Sequence, residues 1–472
     1  MLRKILIANR GEIAVRIIRA CAEMGILSVA VYSEADRHAL HVKKADEAHS
    51  LGEEPLAGYL NPHKLVNLAL ETGCDAIHPG YGFLSENAQF AEICARRGIC
   101  FIGPSAEIIR RMGDKTEARR AMQAVGIPVI PGSSGNLQDL DQALALAEQI
   151  GYPVMLKATS GGGGRGIRRC DSALELRRNF ERVVSEATKA FGSAEVFMEK
   201  CIEKPRHIEV QILADHHGNA IHLFERDCSI QRRNQKLIEI APSPALTEAQ
   251  RQIVCELAIK AARAVGYQNA GTVEFLFDQL GNFYFMEMNT RIQVEHTITE
   301  AITGVDIVEE QIRIASGLPL RYSQDQVQKR GFAIQFRINA EDPRNDFLPS
   351  FGRITRYYAP GGPGVRTDTA IYTGYDIPPY YDSMIAKLIV WALSYEDAIA
   401  RSRRALDDME ISGIKTTRPY YQQILKSADF RAGRFDTSFV DIHPELTRYS
   451  EKRSKTHIAS ALAAAIAAHA GL

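Results

Sequence analysis

Two strand-like runs joined by a short turn constrain the fold more strongly than any other feature of this chain. The runs cover residues 271–277 and 283–289, and only residues 278–282, which include a glycine, separate them. Apolar runs around such a turn predict a β-hairpin. The first run carries Glu274 and the second carries Glu287, so the hairpin holds two acids in an otherwise apolar segment.

The register of this hairpin decides whether the two acids face each other. If Leu280 and Gly281 form a two-residue loop, Glu274 lies directly opposite Glu287, and Asn289 shares the face of Glu287. Like charges opposite each other destabilise a sheet. Two Mg²⁺ ions holding nucleotide phosphates would remove that cost, because Mg²⁺ takes oxygen ligands from carboxylates and phosphate. The hairpin therefore predicts a metal–nucleotide site, with a solvated hairpin face as the alternative.

The polar alternation continues beyond the hairpin into the stretch RIQVEH. Arg291, Gln293 and Glu295 occupy alternate positions there, between apolar residues. This continuation favours a polar site over a solvated face.

Charge, cysteine content and apolar tracts exclude several other classes of protein. The 57 Lys and Arg residues balance the 57 Asp and Glu residues, so no overall field indicates nucleic acid or an anionic membrane as a partner. The eight cysteines form no CxxC pair, which disfavours a zinc site and favours a reduced, cytoplasmic setting. The N-terminal apolar run is too short for a signal-peptide core. Residues 459–472 are fewer than the roughly 20 needed to span a bilayer, so they predict an Ala-rich helix.

The order of the predicted elements indicates an α/β protein with several domains. Strand–helix–strand alternation from Lys4 to about Pro104 predicts a parallel sheet. The first turn, NRGE, lacks the GxGxxG pattern of a dinucleotide site. Short strands alternate with turns after Gly331, and a helix is predicted over residues 395–409.

A glycine run follows the predicted strand over residues 154–157. The run TSGGGGRG, residues 159–166, lets the backbone approach a ligand closely and aim several N–H groups at phosphate. No GKS or GKT follows it, so it is not a P-loop. Lys157 and the upstream Lys115 are candidate phosphate partners. A flexible linker is the alternative for the run, and a surface lysine is the alternative for Lys115.

Three segments between the glycine run and the hairpin are candidate nucleotide contacts. The strand-like run 197–202 suits an adenine site, which needs backbone donors and acceptors beside an apolar wall. His207 alternates with Glu209 and Gln211 on one strand face, so it is a candidate nucleotide contact, with a structural histidine as the alternative. Residues 226–236, RDCSIQRRNQK, form a dense basic patch that favours an anion site over a solvated turn.

Taken together, these segments resemble biotin carboxylase, an ATP-grasp enzyme. The motifs that carry the resemblance span nearly the whole chain and are HPGYGFLSEN (78–87), MGDK (112–115), GGGGRG, ERDCSIQRR, EFLF, EMNTRIQVEH and RINAEDP (337–343). The text RYYAPGGPGVRTD and the ending IAAAIAAHAGL are most similar to the biotin carboxylase subunits of two-subunit pyruvate carboxylases.

This resemblance implies a fold and a reaction. It implies an α/β protein with an N-terminal parallel-sheet biotin carboxylase domain (1–114), an ATP-grasp domain (115–318) with a mobile glycine-rich lid at about 132–203, a C-terminal α+β biotin carboxylase domain (331–446) and a tail helix (447–472). ATP would activate bicarbonate as carboxyphosphate, and the resulting CO₂ would be transferred to biotin. The lid would exclude water from the labile intermediate.

The resemblance also implies roles for individual residues. The residues expected to hold ATP are Lys115, Lys157, Gly163, Gly164, Glu199, Lys200, Cys201, Ile202, His207, Gln231, Asn234, Glu274 and Glu287. Those expected to bind two Mg²⁺ or Mn²⁺ ions are Glu274, Glu287 and Asn289. Those expected to surround bicarbonate and biotin are Lys236, Arg291, Gln293, Val294, Glu295 and Arg337.

Four of these residues are the expected catalytic groups. Glu295 would deprotonate bicarbonate, and Arg291 would position the acidic intermediate. Arg337 would stabilise the enolate of biotin with its planar guanidinium. Lys236 completes the catalytic set beside them.

The chain departs from the family pattern at three positions. Asn234 stands where many relatives carry a histidine near the nucleotide, and an asparagine can still hydrogen-bond a ribose hydroxyl. Thr297 stands where relatives often have proline. Pro363 replaces an aromatic residue of the family's dimer contacts, although Arg19 and Glu23 of the first helix are present.

Biotin is expected to reach this chain on another protein. No attachment motif of the AMKM type occurs in the sequence, so the expected partner is a biotin-carrying carboxyltransferase subunit or a biotin carboxyl carrier protein. A homodimer or a larger complex is expected, without nucleic acid or membrane.

The expected function is therefore that of the biotin carboxylase subunit of pyruvate carboxylase, which makes oxaloacetate. The alternative is the corresponding subunit of acetyl-CoA carboxylase. Another ATP-grasp ligase, such as a carboxylate–amine ligase or half of a carbamoyl-phosphate synthetase, is a more distant alternative, and RIQVEH counts against it. The intact set of metal acids counts against a non-catalytic nucleotide-binding subunit.

Overall fold

The N-terminal region is an open sheet of five parallel strands, in the order β3-β2-β1-β4-β5. The computed structural model describes residues 1–133, 135–158, 167–191, 195–450 and 455–470. In chain order, the elements of this region are β1 (Lys4–Ile7), α1 (Gly11–Glu23), β2 (Leu27–Tyr32), α2 (Leu40–Lys44), β3 (Glu47–Ser50), α3 (Pro62–Glu71), β4 (Ala76–His78), α4 (Ala88–Arg96), β5 (Cys100–Phe101) and α5 (Ala106–Gly113). The predicted parallel α/β unit is confirmed.

The strand order of this sheet reverses between β1 and β4. Ligands of open α/β sheets bind outside the carboxyl ends of the strands at such a point. The loops that follow the two strands meet there, because Asn9 Nδ2 donates to the carbonyl oxygens of Pro79 (2.7 Å) and Tyr81 (2.7 Å). This end of the sheet therefore presents two loops that are tied together.

A smaller unit follows, built on a three-stranded antiparallel sheet in the order β7-β6-β8. Its elements and the helix before them are α6 (Lys115–Ala124), α7 (Leu140–Ile150), β6 (Val154–Ala158), β7 (Ile167–Cys170), α8 (Ala173–Phe191) and β8 (Val196–Lys200). The helices and the sheet share one apolar cluster around Leu156, Val183 and Met198. The predicted phosphate loop at residues 159–166 lies outside the described residues.

The largest sheet of the described residues has eight antiparallel strands in the order β13-β12-β9-β10-β11-β14-β21-β19. The elements in its first half are β9 (Arg206–Ala214), β10 (Ala220–Arg232), β11 (Gln235–Ala241), α9 (Glu248–Ala264), β12 (Asn269–Phe277), β13 (Phe283–Asn289), α10 (His296–Thr303) and α11 (Ile307–Ala315). The central and C-terminal regions share this sheet, because β11 pairs with β14 (Phe332–Asn339), with Glu239 opposite Gln335.

The second half of the sheet carries short strands and helices at its edge. The elements are β14 (Phe332–Asn339), β15 (Glu341–Asp342), β16 (Leu348–Pro349), β17 (Gly352–Arg353), β18 (Arg356–Tyr358), β19 (Val365–Thr369), β20 (Asp376–Ile377), β21 (Met384–Ala392), α12 (Tyr395–Asp408), β22 (Glu410–Ser412), α13 (Arg418–Ile424), α14 (Ala428–Arg431), α15 (Phe439–Ile442) and α16 (Lys455–His469). Among the described residues, no helix is both long and apolar enough to cross a membrane.

The basic patch at residues 226–236 lies on strands rather than on a loop between them. β10 continues to Arg232, and only Arg233 and Asn234 turn before β11 begins. Both turn residues have positive φ angles, 49° and 64°, as a two-residue hairpin with right-handed strand twist requires. Asparagine tolerates this conformation better than most residues, which gives Asn234 a backbone reason for its position.

One apolar cluster holds the N-terminal region against the large sheet. Ile13 and Ile17 of α1 pack with Ile312 of α11 and with Leu213 and Leu223 of the sheet. All five side chains are almost fully buried. This contact places the carboxyl ends of β1 and β4 opposite the polar face of the large sheet.

Candidate active site

A cleft of about 1040 Å³ lies between the N-terminal loops, the small sheet and the large sheet. Asn9, Glu12 and Tyr81 line it from the N-terminal region. The residues predicted from the sequence that line it are Lys157, Lys200, Cys201, Ile202, His207, Gln231, Asn234, Lys236, Glu274, Glu287, Asn289, Arg291, Gln293, Val294 and Arg337. The structure thus brings together most of the predicted site, which comes from the small sheet and the large sheet.

The hairpin places its two acids face to face, as the sequence predicts, but by a different route. Phe277 pairs with Phe283, so five residues rather than a two-residue loop connect β12 and β13. The pairing then shifts by one residue, which leaves Met286 as the extra residue of a β-bulge and sets Glu274 opposite Glu287. The bulge turns Met286 and Glu287 toward the cleft.

The two acids differ in their surroundings. Glu274 Oε1 accepts from Lys236 Nζ (3.0 Å) and Asn289 Nδ2 (2.8 Å), and Oε2 accepts from His207 Nε2 (2.8 Å). Burial raises the pKa of Glu274, but the charges of Lys236 and His207 outweigh burial and hold that pKa far below its usual range. Burial and the Glu274 charge raise the pKa of Glu287.

This arrangement fits a divalent cation. Two facing carboxylates and the amide oxygen of Asn289 supply the oxygen ligands that Mg²⁺ prefers, and substrate phosphate would complete its shell. A cation between the carboxylates would remove the repulsion that, together with burial, raises the pKa of Glu287. The residues present therefore fit the predicted metal site.

Lys236 ties together three buried carboxylates. Its Nζ donates to Glu209, to Glu274 (3.0 Å) and to Glu295 Oε1 (2.8 Å). Arg226, which is fully buried, compensates the remaining charge of Glu209. Burial lowers the pKa of Lys236, but these carboxylates outweigh burial and raise that pKa, so the amine stays charged at the floor of the cleft.

Glu295 lies beneath the cleft rather than on its wall. Its carboxylate is fully buried, and Lys236 Nζ holds Oε1 while Arg337 Nη2 holds Oε2 at 3.0 Å. Burial and the nearby Glu209 raise the pKa of Glu295, but Lys236 and Arg337 outweigh them and lower it. Glu239 accepts from Arg337 Nε at 2.5 Å, so the guanidinium is fixed on two sides with its plane defined.

Arg291 forms a second basic group at the cleft. Its Nε donates to Glu86 Oε2 (2.8 Å), and its Nη1 donates to Gln293 Oε1 (2.8 Å). Its Nη2 reaches Asn289 Oδ1 at 3.2 Å. Burial lowers the pKa of Arg291, but Glu86 outweighs burial and raises it. Arg291 therefore links the N-terminal loop to the hairpin at the end of the cleft.

The opposite end of the cleft combines apolar walls with a few polar groups. Ile202, Leu276 and Met286 line this part. Lys157 Nζ pairs with Glu199 at 2.5 Å, and Lys200 Nζ donates to the carbonyl oxygens of Gly151 and Tyr152. Such apolar walls suit a planar ring, and the nearby Lys157 suits the phosphate chain that the ring carries.

Three predicted residues do not line the cleft. Glu199 and Glu295 lie behind it, paired with Lys157 and with Lys236 and Arg337 respectively. Lys115 begins α6 and acts at a distance, because its charge lowers the pKa of Glu287 against the larger effect of burial. The predicted phosphate-binding glycines Gly163 and Gly164 lie outside the described residues.

Sequence reasoning missed several residues that hold the site. Glu239 orients Arg337, Glu86 pairs with Arg291, and Arg226 compensates Glu209. A signal existed for Glu239, because it is a lone acid inside the apolar run LIEIA. Glu86 and Arg226 belong to motifs that carried the resemblance, but their partners are distant in sequence.

Replacing Glu287 by glutamine is expected to weaken Mg²⁺ binding and to stabilise the metal-free protein. The variant should need about tenfold or more Mg²⁺ for half-maximal nucleotide binding, since losing a group that tunes a metal typically costs that much in affinity. Its metal-free form should gain about 0.2–1 kcal/mol in the free energy of unfolding, because two like charges no longer face each other. Titration of Mg²⁺ and urea denaturation of both proteins check the two effects. An unchanged Mg²⁺ requirement would contradict the metal assignment.

Family models match three consecutive parts of the chain. Residues 1–109 match the biotin carboxylase N-terminal domain, residues 114–323 match the ATP-binding domain of the carbamoyl-phosphate synthase L chain, and residues 335–442 match the biotin carboxylase C-terminal domain. Biotin carboxylase domains therefore flank the ATP-binding domain on both sides.

Curated relatives match the chain over most of its length. The 2-oxoglutarate carboxylase small subunit of Hydrogenobacter thermophilus is 56% identical over 472 residues, 100% of both chains. Biotin carboxylase 1 of Bacillus subtilis is 54% identical over 445 residues, 94% of this chain and 99% of the relative. A pyruvate carboxylase subunit of Methanothermobacter thermautotrophicus is 53% identical over 442 residues, 93% of this chain and 90% of the relative.

Solved structures share the fold. The biotin carboxylase domain dimer of the H. thermophilus 2-oxoglutarate carboxylase, in complex with MgADP, ADP and bicarbonate, has a TM-score of 0.92 at 56% identity, with 96% of this chain and 100% of that chain covered. The biotin carboxylase subunit of a pyruvate carboxylase has a TM-score of 0.85 at 56% identity, with the same coverage.

Proposed function

The chain belongs to the biotin carboxylase family, and from that premise we propose that it is the biotin carboxylase subunit of a carboxylase that acts on a 2-oxo acid. It uses ATP and bicarbonate to carboxylate biotin that a partner subunit carries. The observation that carries this proposal is the buried Glu295 carboxylate, which Lys236 and Arg337 hold beneath a cleft that also contains two facing metal-type acids.

The proposed first step activates bicarbonate. Mg²⁺ at Glu274, Glu287 and Asn289 would supply charge neutralisation for the phosphates. Glu295 accepts the proton of bicarbonate, whose oxygen attacks the terminal phosphorus of ATP, and ADP leaves with the electron pair of the broken bond. Lys236 stabilises the charge that develops nearby, as positioned cations do in water-excluded sites.

The proposed second step transfers the carboxyl group. Carboxyphosphate breaks its carbon–oxygen bond to give CO₂ and phosphate, and the phosphate accepts the proton of the ureido nitrogen of biotin. Arg337 stabilises the enolate oxygen with a guanidinium that Glu239 already orients. The new nitrogen–carbon bond then forms between biotin and CO₂.

Pyruvate remains the proposed acceptor of the complete carboxylase, as predicted from the sequence, and 2-oxoglutarate is the second candidate. Both are 2-oxo acids, and relatives named for each match this chain at 53% and 56% identity. Relatives named only biotin carboxylase match at similar identity, so the acetyl-CoA alternative stays open to test.

A reconstitution separates these acceptors. The chain is combined with its co-purifying biotin protein, ATP, Mg²⁺ and radiolabelled bicarbonate, and pyruvate, 2-oxoglutarate or acetyl-CoA is offered in separate reactions. Label in oxaloacetate is expected. Label in the product of 2-oxoglutarate alone would move the assignment to the second 2-oxo acid, and label in malonyl-CoA alone would overturn the 2-oxo acid proposal.

The tail helix α16 is the proposed docking element for the biotin-carrying subunit. It lies beyond the last family model, which ends at residue 442, but inside the full-length match to a relative named as a small subunit. Its Leu462 and Ile466 side chains are 59% and 68% exposed. Such apolar side chains on a helix need a covering surface, and the larger, biotin-carrying subunit supplies one.

Deleting residues 447–472 is expected to leave carboxylation of free biotin within about twofold and to abolish co-purification with the biotin-carrying subunit. The reason is that no described residue of α16 lines the cleft and that Leu462 and Ile466 are exposed. Replacing Leu462 and Ile466 together by serine serves as a full-length version of the test. Retained complex formation by both variants would refute the docking role.

A homodimer is also proposed, in keeping with the solved dimer of the H. thermophilus biotin carboxylase domain. Arg19 of α1 is half exposed and lies 3.7 Å from the buried Asp368. The neighbouring Glu23 is exposed, so this face of α1 carries charges that a second copy can pair. Sedimentation of the Arg19→Glu variant tests the contact, and an unchanged dimer would contradict it.

A further inference from the structure

Lys387 is a fully buried lysine in the otherwise apolar strand β21, whose sequence is MIAKLIVWA. It lies directly opposite Arg337 on one neighbouring strand and directly opposite Asp368 on the other. Burying a charged amine costs several kcal/mol even in favourable sites. An apolar residue at this position would avoid that cost, so the charge indicates a role beyond stability.

The contacts of the Lys387 amine indicate this role. Lys387 Nζ donates to the carbonyl oxygen of Val294 at 3.1 Å and lies 3.0 Å from Glu12 Oε2. Glu12 belongs to α1 and also accepts from the hydroxyl of Tyr81. One ammonium group therefore connects the C-terminal half of the large sheet, the N-terminal region and the segment that carries Glu295.

One carbonyl of that segment takes its donor from a distant strand. Residues 291–295 lie between β13 and α10 and form no regular ladder, so their backbone carbonyls need other donors. His296 Nδ1 lies 2.7 Å from the carbonyl oxygen of Gln293, and burial lowers the pKa of His296 to about 3, which leaves a neutral ring donating there. The next carbonyl, Val294, depends on Lys387.

We propose that Lys387 is a positioning residue for bicarbonate activation. With Glu12 as its counter-charge, it fixes the carbonyl of Val294, and so fixes where the adjoining Glu295 carboxylate sits beneath the cleft. The inference rests on the proposed role of Glu295. The proposal adds that a cation outside the cleft, Lys387, positions the base. It also adds that the position of Lys387 depends on Glu12 and Tyr81 of the N-terminal region.

Replacing Lys387 by methionine tests this role, because methionine keeps most of the length of the side chain and removes its donor. The kcat/KM for bicarbonate in ATP cleavage is expected to fall about 10- to 100-fold, since misplacing a reacting group by about 1 Å costs on this order. The KM for ATP is expected to change less than about twofold, because the nucleotide end of the cleft does not contact Lys387.

A double variant separates positioning from stability. In Lys387→Met with Glu12→Gln no buried carboxylate is left without its counter-charge, so the melting temperature should return toward that of the native chain while the bicarbonate defect remains. The control is Arg251→Met with Glu225→Gln, which removes another buried ion pair that does not line the cleft. It should change neither the kcat/KM for bicarbonate nor the KM for ATP relative to the other.

Two results would overturn the proposal. Native-like kcat/KM for bicarbonate in the double variant would show that Lys387 serves the fold alone, as would parallel losses for bicarbonate and ATP. Failure of the proposed function is distinct, because the native chain itself would then show no bicarbonate-dependent ATP cleavage.

Discussion

Replacing Arg337 by alanine is expected to lower the rate of carboxybiotin formation by about 10²–10³-fold, the usual cost of removing one donor that stabilises a developing oxyanion. Bicarbonate-dependent ATP cleavage without biotin is expected to persist at a reduced rate. The two activities separate because enolate stabilisation is needed only when biotin reacts. Arg337 also donates to Glu295 Oε2 at 3.0 Å, so some loss in the first step is expected as well.

The measurement compares both activities in one preparation. ADP release with bicarbonate alone reports the first step, and radiolabel from bicarbonate in biotin reports the second. Arg337→Lys is the matched variant, because it keeps the charge but loses the planar contacts with Glu239 and Glu295. An equal fall of both activities in Arg337→Ala would contradict the proposal that Arg337 acts mainly in the second step.

Replacing Glu295 by glutamine is expected to lower bicarbonate-dependent ATP cleavage by about 10²–10⁴-fold, the typical contribution of a general base. Nucleotide binding should remain nearly native, because Glu295 lies beneath the cleft and contacts Lys236 and Arg337 rather than the apolar end. Calorimetric titration with MgADP and a steady-state assay over bicarbonate concentration measure the two properties.

The matched control for this variant is Glu225→Gln. Glu225 is as fully buried as Glu295, but it pairs with Arg251, which does not line the cleft, rather than with Lys236 and Arg337. It should lower stability to a similar extent and leave the dependence on bicarbonate unchanged. Native-like turnover of Glu295→Gln at saturating bicarbonate would exclude Glu295 as the base.

The facing acids of the hairpin were predictable, but the way in which they come to face each other was not. Strict alternation and a two-residue loop place Glu274 opposite Glu287, and the structure reaches the same pair with five connecting residues and a bulge at Met286. The bulge keeps Phe285 and Met288 in one apolar cluster while Glu287 turns toward the cleft. A period of two cannot express such an insertion.

Residues that contact the site from strands distant in sequence were harder to predict than those within motifs. The predicted residues lie close together in RIQVEH and its neighbours, whereas Glu239 and Lys387 reach the site from strands whose pairing a single sequence does not reveal. Each is a lone charge inside an apolar strand run. Because burying a charge is costly, that pattern is a usable signal for groups that hold a site.

The continuous sheet explains why these supports come from so far along the chain. The pairing of β11 with β14 joins the ATP-binding region to the C-terminal region, so Glu239 and Arg337 stand on adjacent strands. Residues on neighbouring strands of one sheet keep fixed separations. The two cations that hold the base, Lys236 and Arg337, and their counter-ions are thereby carried by one sheet, while Glu295 itself lies on the segment between β13 and α10.

The most direct test of the account follows the oxygen atoms of bicarbonate. The purified chain is given ATP, Mg²⁺, free biotin and bicarbonate carrying heavy oxygen, and the released phosphate is analysed by mass spectrometry. If bicarbonate attacks the terminal phosphorus of ATP and the resulting carboxyphosphate breaks at its carbon–oxygen bond, each phosphate released carries one heavy oxygen. Phosphate that takes its new oxygen from water, or ADP release that needs neither bicarbonate nor biotin, would contradict the central claim.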